Sequence, residues 1–300
     1  MDSDKAQPFV DARQVRRNFT RAAANYDAVA VLAREIDRRM LERLDYVKIA
    51  PTSLLDLGCG TGASLTALSE RYPKALALGL DASLDMLRAG RGARSRLRWK
   101  LPFLRSHKTA LCAADAQNLP IKSASVGLVW SNLMLHWLDT PLPALREMHR
   151  MLEVGGLLMF STFGPDTLKE LRASSTDGYA RTQRFTDLHD YGDMLVECGF
   201  ADPVMDVEHV TLTYAKVSDL FHDLRHNGAG CAMRDRRRSL MGKNAWHALQ
   251  QAYEKFRHDA RLPATFEVVY GHAWKPEPSK TAEGASIVRF DPKQRGRASA

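Results

Sequence analysis

The run Leu54-Leu55-Asp56-Leu57-Gly58-Cys59-Gly60-Thr61-Gly62 governs how the rest of the chain reads. An apolar strand, Ser53 to Leu57, follows Pro51 and enters a turn of three alternate glycines, after which a helical pattern begins at once. Glycine is needed where the backbone bends sharply and where a ligand must approach main-chain atoms closely. Outward from this turn, strand and helix alternate. Ala75–Leu80, Thr109–Ala113, Ser125–Trp130 and Leu157–Thr162 read as further strands. Leu142, Leu145, Met148 and Met151 line one face of a helix that Gly155-Gly156 is expected to stop. Strands separated by helices predict βαβ units and a parallel α/β sheet.

Either side of this core the pattern changes. Upstream, Val29, Leu32, Ile36, Met40 and Leu44 recur at helical spacing. Downstream, Asp187–Cys198 reads as a helix closed by Gly199, and Val204–Tyr214 as an alternating strand. Trp246, Leu249, Tyr253 and Phe256 mark another amphipathic helix, and Ala264–Trp274 is rich in strand formers able to complete the sheet. The resulting division is an N-terminal helical lid segment at 1–50 and a main domain at 51–276. Lid insertions are expected at about 164–200 and 216–262, and a disordered tail at 277–300.

The acids sharpen the ligand. A dinucleotide site on such a turn holds a pyrophosphate at the helix N-terminus. Here the spacing is GxGxG, and Asp56 stands two positions before the first glycine. A carboxylate beside the turn suits a cationic ligand better than a phosphate. S-adenosylmethionine, with an ammonium, a sulfonium and no phosphate, is such a ligand. The second strand ends at Asp81, placed to accept both ribose hydroxyls, and the third runs into Asp115-Ala116, facing an exocyclic amine. Three acids at the carboxyl ends of three successive strands share the rim where open α/β sheets bind ligands.

Asp56–Gly62, Asp81, Asp115 and Ser131-Asn132 resemble the motifs of class I S-adenosylmethionine-dependent methyltransferases. The resemblance implies a Rossmann-like, mostly parallel seven-stranded sheet with one antiparallel strand, flanked by helices. It also implies a cofactor site of Asp56, Gly58, Cys59, Gly60, Gly62, Asp81, Ala82, Met86, Asp115, Ala116 and Ser131. Met86 either packs on adenine or belongs to the core. More specific runs are Arg16-Arg17-Asn18-Phe19, Ala22-Ala23-Ala24-Asn25-Tyr26-Asp27, Ser131–Trp137, Phe160–Arg172 and Val269–Pro276. Together these are similar to the malonyl-acyl-carrier-protein O-methyltransferase family of biotin synthesis, over roughly residues 15–276. That likeness implies methylation of the free carboxylate of a malonyl thioester, with acyl carrier protein as partner. Tyr26 resembles the family's lid tyrosine, which implies that it faces the methyl group, with core packing as the other role open to it. Arg172, on the helix after the fifth strand, and His136, after the fourth, are the other candidate substrate contacts, against surface and structural roles respectively.

Composition excludes several classes. With 45% hydrophobic and 26% charged residues the chain is not wholly disordered. Four cysteines without a CxxC pair argue against a zinc or redox motif, so no metal is expected. No apolar run approaches a membrane span, and the acidic N-terminus is unlike a targeting peptide, so a cytoplasmic protein is expected. His222 and His226 stand at i and i+4 without a third ligand and read as a solvated helix face. The net charge of +8 suggests an acidic partner. Arg88–Lys108 carries eight Lys/Arg and no acid, and with Arg234–Arg238 is a candidate docking surface for an acidic carrier. An RNA methyltransferase would also suit this charge. Against it, the fourth strand lacks the Asn/Asp-Pro-Pro-aromatic run of base-amino methylation, and no nucleic-acid module is readable. A small-acid carboxyl methyltransferase and a respiratory-complex assembly factor on the same fold remain alternatives.

Overall fold

The computed structural model describes residues 9–100 and 109–278. Helices α1 (Ala12–Ala22), α2 (Tyr26–Val29) and α3 (Val31–Arg43) precede β1 (Ser53–Leu57). Then come α4 (Ala63–Arg71), β2 (Leu76–Asp81), α5 (Leu84–Lys100), β3 (Thr109–Ala113) and β4 (Val126–Asn132). Next are α6 (Leu142–Met151), β5 (Leu152–Phe163), α7 (Lys169–Ala173) and α8 (Leu188–Glu197). The chain closes with β6 (Ala201–Tyr214), α9 (Val217–His226), α10 (Lys243–Glu254) and β7 (Leu262–Trp274). The seven strands form one sheet in the order β3-β2-β1-β4-β5-β7-β6. β7 runs antiparallel to both of its neighbours, and the remaining pairs are parallel.

Alternating side chains bury both faces of the central strands, as a parallel sheet covered by helices requires. Leu54, Leu128, Trp130, Leu157 and Met159 face Ile36 and Met40 of α3, Leu65 and Leu68 of α4, and Leu249 and Tyr253 of α10. Leu55, Leu57, Val129, Leu158 and Phe160 face Leu145 and Met148 of α6, and Tyr191 and Leu195 of α8. Each fully buried leucine contributes about 1.5–3 kcal/mol through loss of apolar contact with water. The topology places the ends of β1, β2 and β4 side by side, where the order reverses around β1.

Two expectations need correction. Gly155-Gly156 does not stop α6. The helix ends at Met151 because Leu152 turns extended and pairs with Val126, and both glycines lie inside β5. Gly155 adopts φ +77° and its N–H donates to the Lys275 carbonyl (2.8 Å), beside a register irregularity in the β4–β5 pairing. The basic stretch from Arg88 is not a plain connection either, since α5 continues helical to Lys100. The side chains of 93–100, residues 101–108 and all but 277 and 278 of the expected tail at 277–300 lie outside the described residues.

α5 approaches the glycine turn through Gly90, where a β-carbon would stand 2.0 Å from the Thr61 carbonyl oxygen. Alanine in a helix interior ordinarily stabilises relative to glycine. At this position the sign reverses, because the backbone of the turn has to move. Gly90→Ala is expected to lower stability by about 1–3 kcal/mol, as overpacking does, measured by urea unfolding; a variant as stable as the native chain would show that α5 does not bear on the turn.

Candidate active site

The glycine turn is held by its neighbour strand. Gly58 and Cys59 donate their N–H groups to the Leu80 carbonyl (2.8 and 3.0 Å), and Gly60 N–H donates to Asp81 Oδ2 (2.9 Å). Ser83 N–H donates to Asp81 Oδ1 (2.7 Å). Gly58, Gly60 and Gly62 all lie at positive φ (+78°, +55° and +80°), the region glycine tolerates without strain. Gly62 caps α4 from the left-handed conformation. The Gly60 N–H thus serves a carboxylate of the protein and is not offered to a phosphate. Burial pushes the Asp81 carboxyl up, while the Ser83 and Gly60 N–H groups oppose that shift.

Above the turn lies a cavity of about 530 Å³, the size of a cofactor or small-ligand site. Its wall includes Asp56, Gly58, Cys59, Gly60, Asp81, Ala82, Met86, Asp115 and Ala116 from the strand ends. Asp56 is buried at 1% exposure. Met86 is buried at the same level, and its Cε would stand 3.1 Å from a β-carbon at Gly60, so it serves core and cavity together. Two sequence candidates are absent from this wall. Gly62 acts as the helix cap, and Ser131 is fully buried, its hydroxyl donating to the Leu57 carbonyl (2.9 Å) to brace β4 on β1.

The opposite wall comes from the N-terminal helices through Val15, Phe19, Tyr26, Ala33, Arg34 and Asp37. Beside the cavity, hydrogen bonds latch these helices onto β4 and the glycine turn. Trp130 Nε1 donates to Asp37 Oδ1 (3.0 Å), Asn132 Nδ2 to the Ala33 carbonyl (2.9 Å), and Thr61 Oγ1 to Asp27 Oδ1 (2.5 Å). Burial pushes the Asp37 carboxyl up, offset by hydrogen bonds from Ser64 and Trp130. Leu133, directly after β4, also lines the cavity and holds φ +52°, a strained position for a branched side chain. Asp37 and Arg34 carry no sequence signal. Both sit in a charged helical repeat and matter only because of how α3 docks.

Tyr26 and His136 both reach the cavity, and both are held uncharged. Burial, reinforced by Asp81 and Asp27, pushes the Tyr26 hydroxyl up to about 12. Burial pushes His136 down to about 3. The imidazole lies among Trp137, Phe163 and Phe185, with Nδ1 3.5 Å from Thr162 Oγ1, which in turn meets the Tyr191 hydroxyl at 3.3 Å. Arg172 is not brought to the site. Its guanidinium donates to the Pro165 and Thr167 carbonyls, closing the loop before α7. Nor does 164–200 line the cavity: α8 packs beneath the sheet. From 216–262, Leu224, Asn227 and Ala229 reach the wall. His226 Nδ1 faces the His222 carbonyl (2.7 Å). Among the described residues no group of three or more His, Cys, Asp or Glu is placed to hold a metal ion.

The wall fits S-adenosylmethionine. Asp81 accepts two backbone N–H groups and keeps two of its roughly four acceptor positions for hydroxyl donors. Asp56 and Asp115 add carboxyl groups along the same rim, where they would meet the ammonium and adenine amine of the cofactor. The fold and this order of acids define a class I methyltransferase. Residues 55–160 match a family described as methyltransferase domain. Solved structures with the same fold include the YcgJ protein of Bacillus subtilis (TM-score 0.56, 14% identity, 80% of this chain and 99% of that one). Another is the [4+2]-cyclase SpnF (TM-score 0.51, 20% identity, 81% of each chain), a reminder that this fold alone does not specify a reaction. Sequence relatives are more specific. The chain is 48% identical over 289 residues to the malonyl-[acyl-carrier protein] O-methyltransferase of Laribacter hongkongensis, covering 95% of this chain and 97% of that protein. It is 47% identical over 282 residues to that of Gallionella capsiferriformans, covering 93% and 96%. The chain belongs to the malonyl-[acyl-carrier protein] O-methyltransferase family.

Asp81→Ala removes the tie to Gly60 and the hydroxyl acceptors together. Its affinity for S-adenosylhomocysteine is expected to fall about 10- to 100-fold, the loss of one or two charge-assisted hydrogen bonds. Calorimetry on the folded variant checks this, and native affinity would remove Asp81 from the ligand site.

Proposed function

We propose that this chain methylates the free carboxylate of a malonyl thioester on acyl carrier protein, using S-adenosylmethionine, and so makes the malonyl methyl ester that primes pimeloyl and biotin synthesis. The observation that carries the reading is the likeness, across nearly the whole chain, to curated malonyl-[acyl-carrier protein] O-methyltransferases. When bound, S-adenosylmethionine supplies an electrophilic methyl group on a sulfonium. A malonyl carboxylate is ionised at neutral pH, because carboxyl groups titrate near or below about 4. The chain therefore needs no general base, and it offers Tyr26 and His136 in uncharged forms.

What the residues supply is orientation and exclusion of water. Tyr26 presents a protonated hydroxyl beside Asp81, placed to hold a carboxylate without neutralising it as an ion pair would. Phe19, Trp137 and Phe163 close an aromatic shell around the same space. Attack of an anion on a cation disperses both charges, so a dry apolar wall favours the transition state over the separated charges. The segment at 1–50 acts as the lid over this chamber, its latch bonds made at Thr61, Trp130 and Asn132. The partner is an acidic carrier protein received on a basic face, and the working compartment is the cytoplasm. No helix among the described residues is long and apolar enough to cross a membrane.

Expression of the chain is expected to restore growth of a biotin-requiring bacterial strain lacking its malonyl carboxyl-methylating step. Growth only with added biotin would count against the reading. The pH dependence follows from the same groups. Because His136 takes up a proton only near 3 and Tyr26 loses one only near 12, kcat is expected to be flat from about pH 6 to 9. A rising limb centred near the ordinary histidine value would instead make a titrating base part of the mechanism.

A further inference from the structure

α1 presents an arginine face without an internal counterpart. Its inner side packs Val15 and Phe19 into the cavity wall, while Arg13, Arg16, Arg17 and Arg21 are all exposed. These four stand at i, i+3, i+4 and i+8 on one side of an eleven-residue helix that holds no acid. None of them makes an ion pair with a described residue. Like charges at such spacing repel one another along a helix face.

Elsewhere part of the basic charge is paired within the chain. In α3, Arg38 pairs with Glu35 and Glu42, Arg39 with Glu35 and Glu208, and Arg43 with Asp206 (2.6 Å). Within 234–238, Arg236 pairs with Asp11 and Arg237 with Asp177, each at 3.2 Å, while Arg234 and Arg238 are exposed without an ion pair among the described residues. α1 differs in that none of its four arginines is paired with a described residue, and it also borders the cavity. α5 packs against it and adds Arg91, likewise exposed and without an ion pair among the described residues. Arg16 joins the two properties, since it is exposed and lines the cavity mouth.

We infer that the exposed face of α1, extended by Arg91, is where the acidic carrier protein docks, with its thioester arm passing Arg16 into the cavity. This rests on the function proposed above and assigns its partner a surface. It moves the docking face from Arg88–Lys108 and Arg234–Arg238 to the N-terminal helix, keeping Arg91 of the former. Such a face acts on encounter more than on chemistry: it speeds association with an acidic partner and loses effect in salt. A small thioester that lacks the carrier domain gains nothing from it.

The test compares two triple variants of equal charge change. Arg13→Glu/Arg17→Glu/Arg21→Glu reverses the α1 face and leaves the cavity residues intact. Lys48→Glu/Lys74→Glu/Lys122→Glu reverses exposed charges before β1, β2 and β4, at the far end of the sheet. With malonyl-carrier protein at low ionic strength, the α1 variant is expected to lose at least about tenfold in kcat/KM, and the far-end variant little. With malonyl-coenzyme A both are expected to match the native chain, which also shows that they are folded. Raising salt is expected to erase the difference. Equal carrier kinetics in the α1 variant, or equal losses in the two, would overturn the docking face alone. A native chain that methylates neither thioester would overturn the proposed function itself, and the docking face with it.

Discussion

The carboxylate of Asp81 is the constraint on which the rest of the site depends. It ends β2, accepts from Gly60 in the glycine turn and from Ser83 at the start of α5, and so joins three segments at one point. With it in place the turn is rigid, Gly90 seats α5 on the Thr61 carbonyl, and Met86 is carried over Gly60. The same hydrogen bonds consume the backbone donor that a phosphate would need. Ligand selection therefore begins in the backbone of the turn, before any substrate contact is considered.

A second constraint is charge management in a basic protein. The chain carries +8, yet its cavity wall holds several acids: Asp56, Asp81 and Asp115 from strand ends, and Asp37 from α3. Arg38, Arg39 and Arg43 of α3 are paired, while the arginines of α1 make no ion pair with a described residue. The net charge thus says little about the cavity, whose wall carries four acids in a basic protein. On the proposal made above, it bears instead on association with an acidic partner.

Much of the fold was legible because a parallel sheet buried on both faces writes itself as short apolar runs between helical repeats. Asp56, Asp81 and Asp115 were legible for a related reason, since strand ends of such a sheet converge whatever the helices do. Gly155-Gly156 misled because two glycines after a helical repeat look like a stop, whereas pairing of Leu152 with Val126 ended the helix first. Arg172 stands where a lid was expected, but local carbonyls claim its guanidinium. Ser131 and Gly62 belong to the right segments and point elsewhere. Asp37 and Arg34 were invisible. Their place follows from Trp130 and Asn132 reaching across from β4, a contact nearly a hundred residues away in sequence that no local pattern encodes.

The central claim is that this cavity joins a sulfonium methyl group to a substrate carboxylate on a carrier protein. The most direct measurement offers S-adenosylmethionine with a labelled methyl group to the purified chain, alongside malonyl-carrier protein and tRNA in equal amounts. Label is expected on the carrier protein alone, released as methanol by mild base, as a methyl ester requires. Label in the tRNA with none on the carrier protein would contradict it.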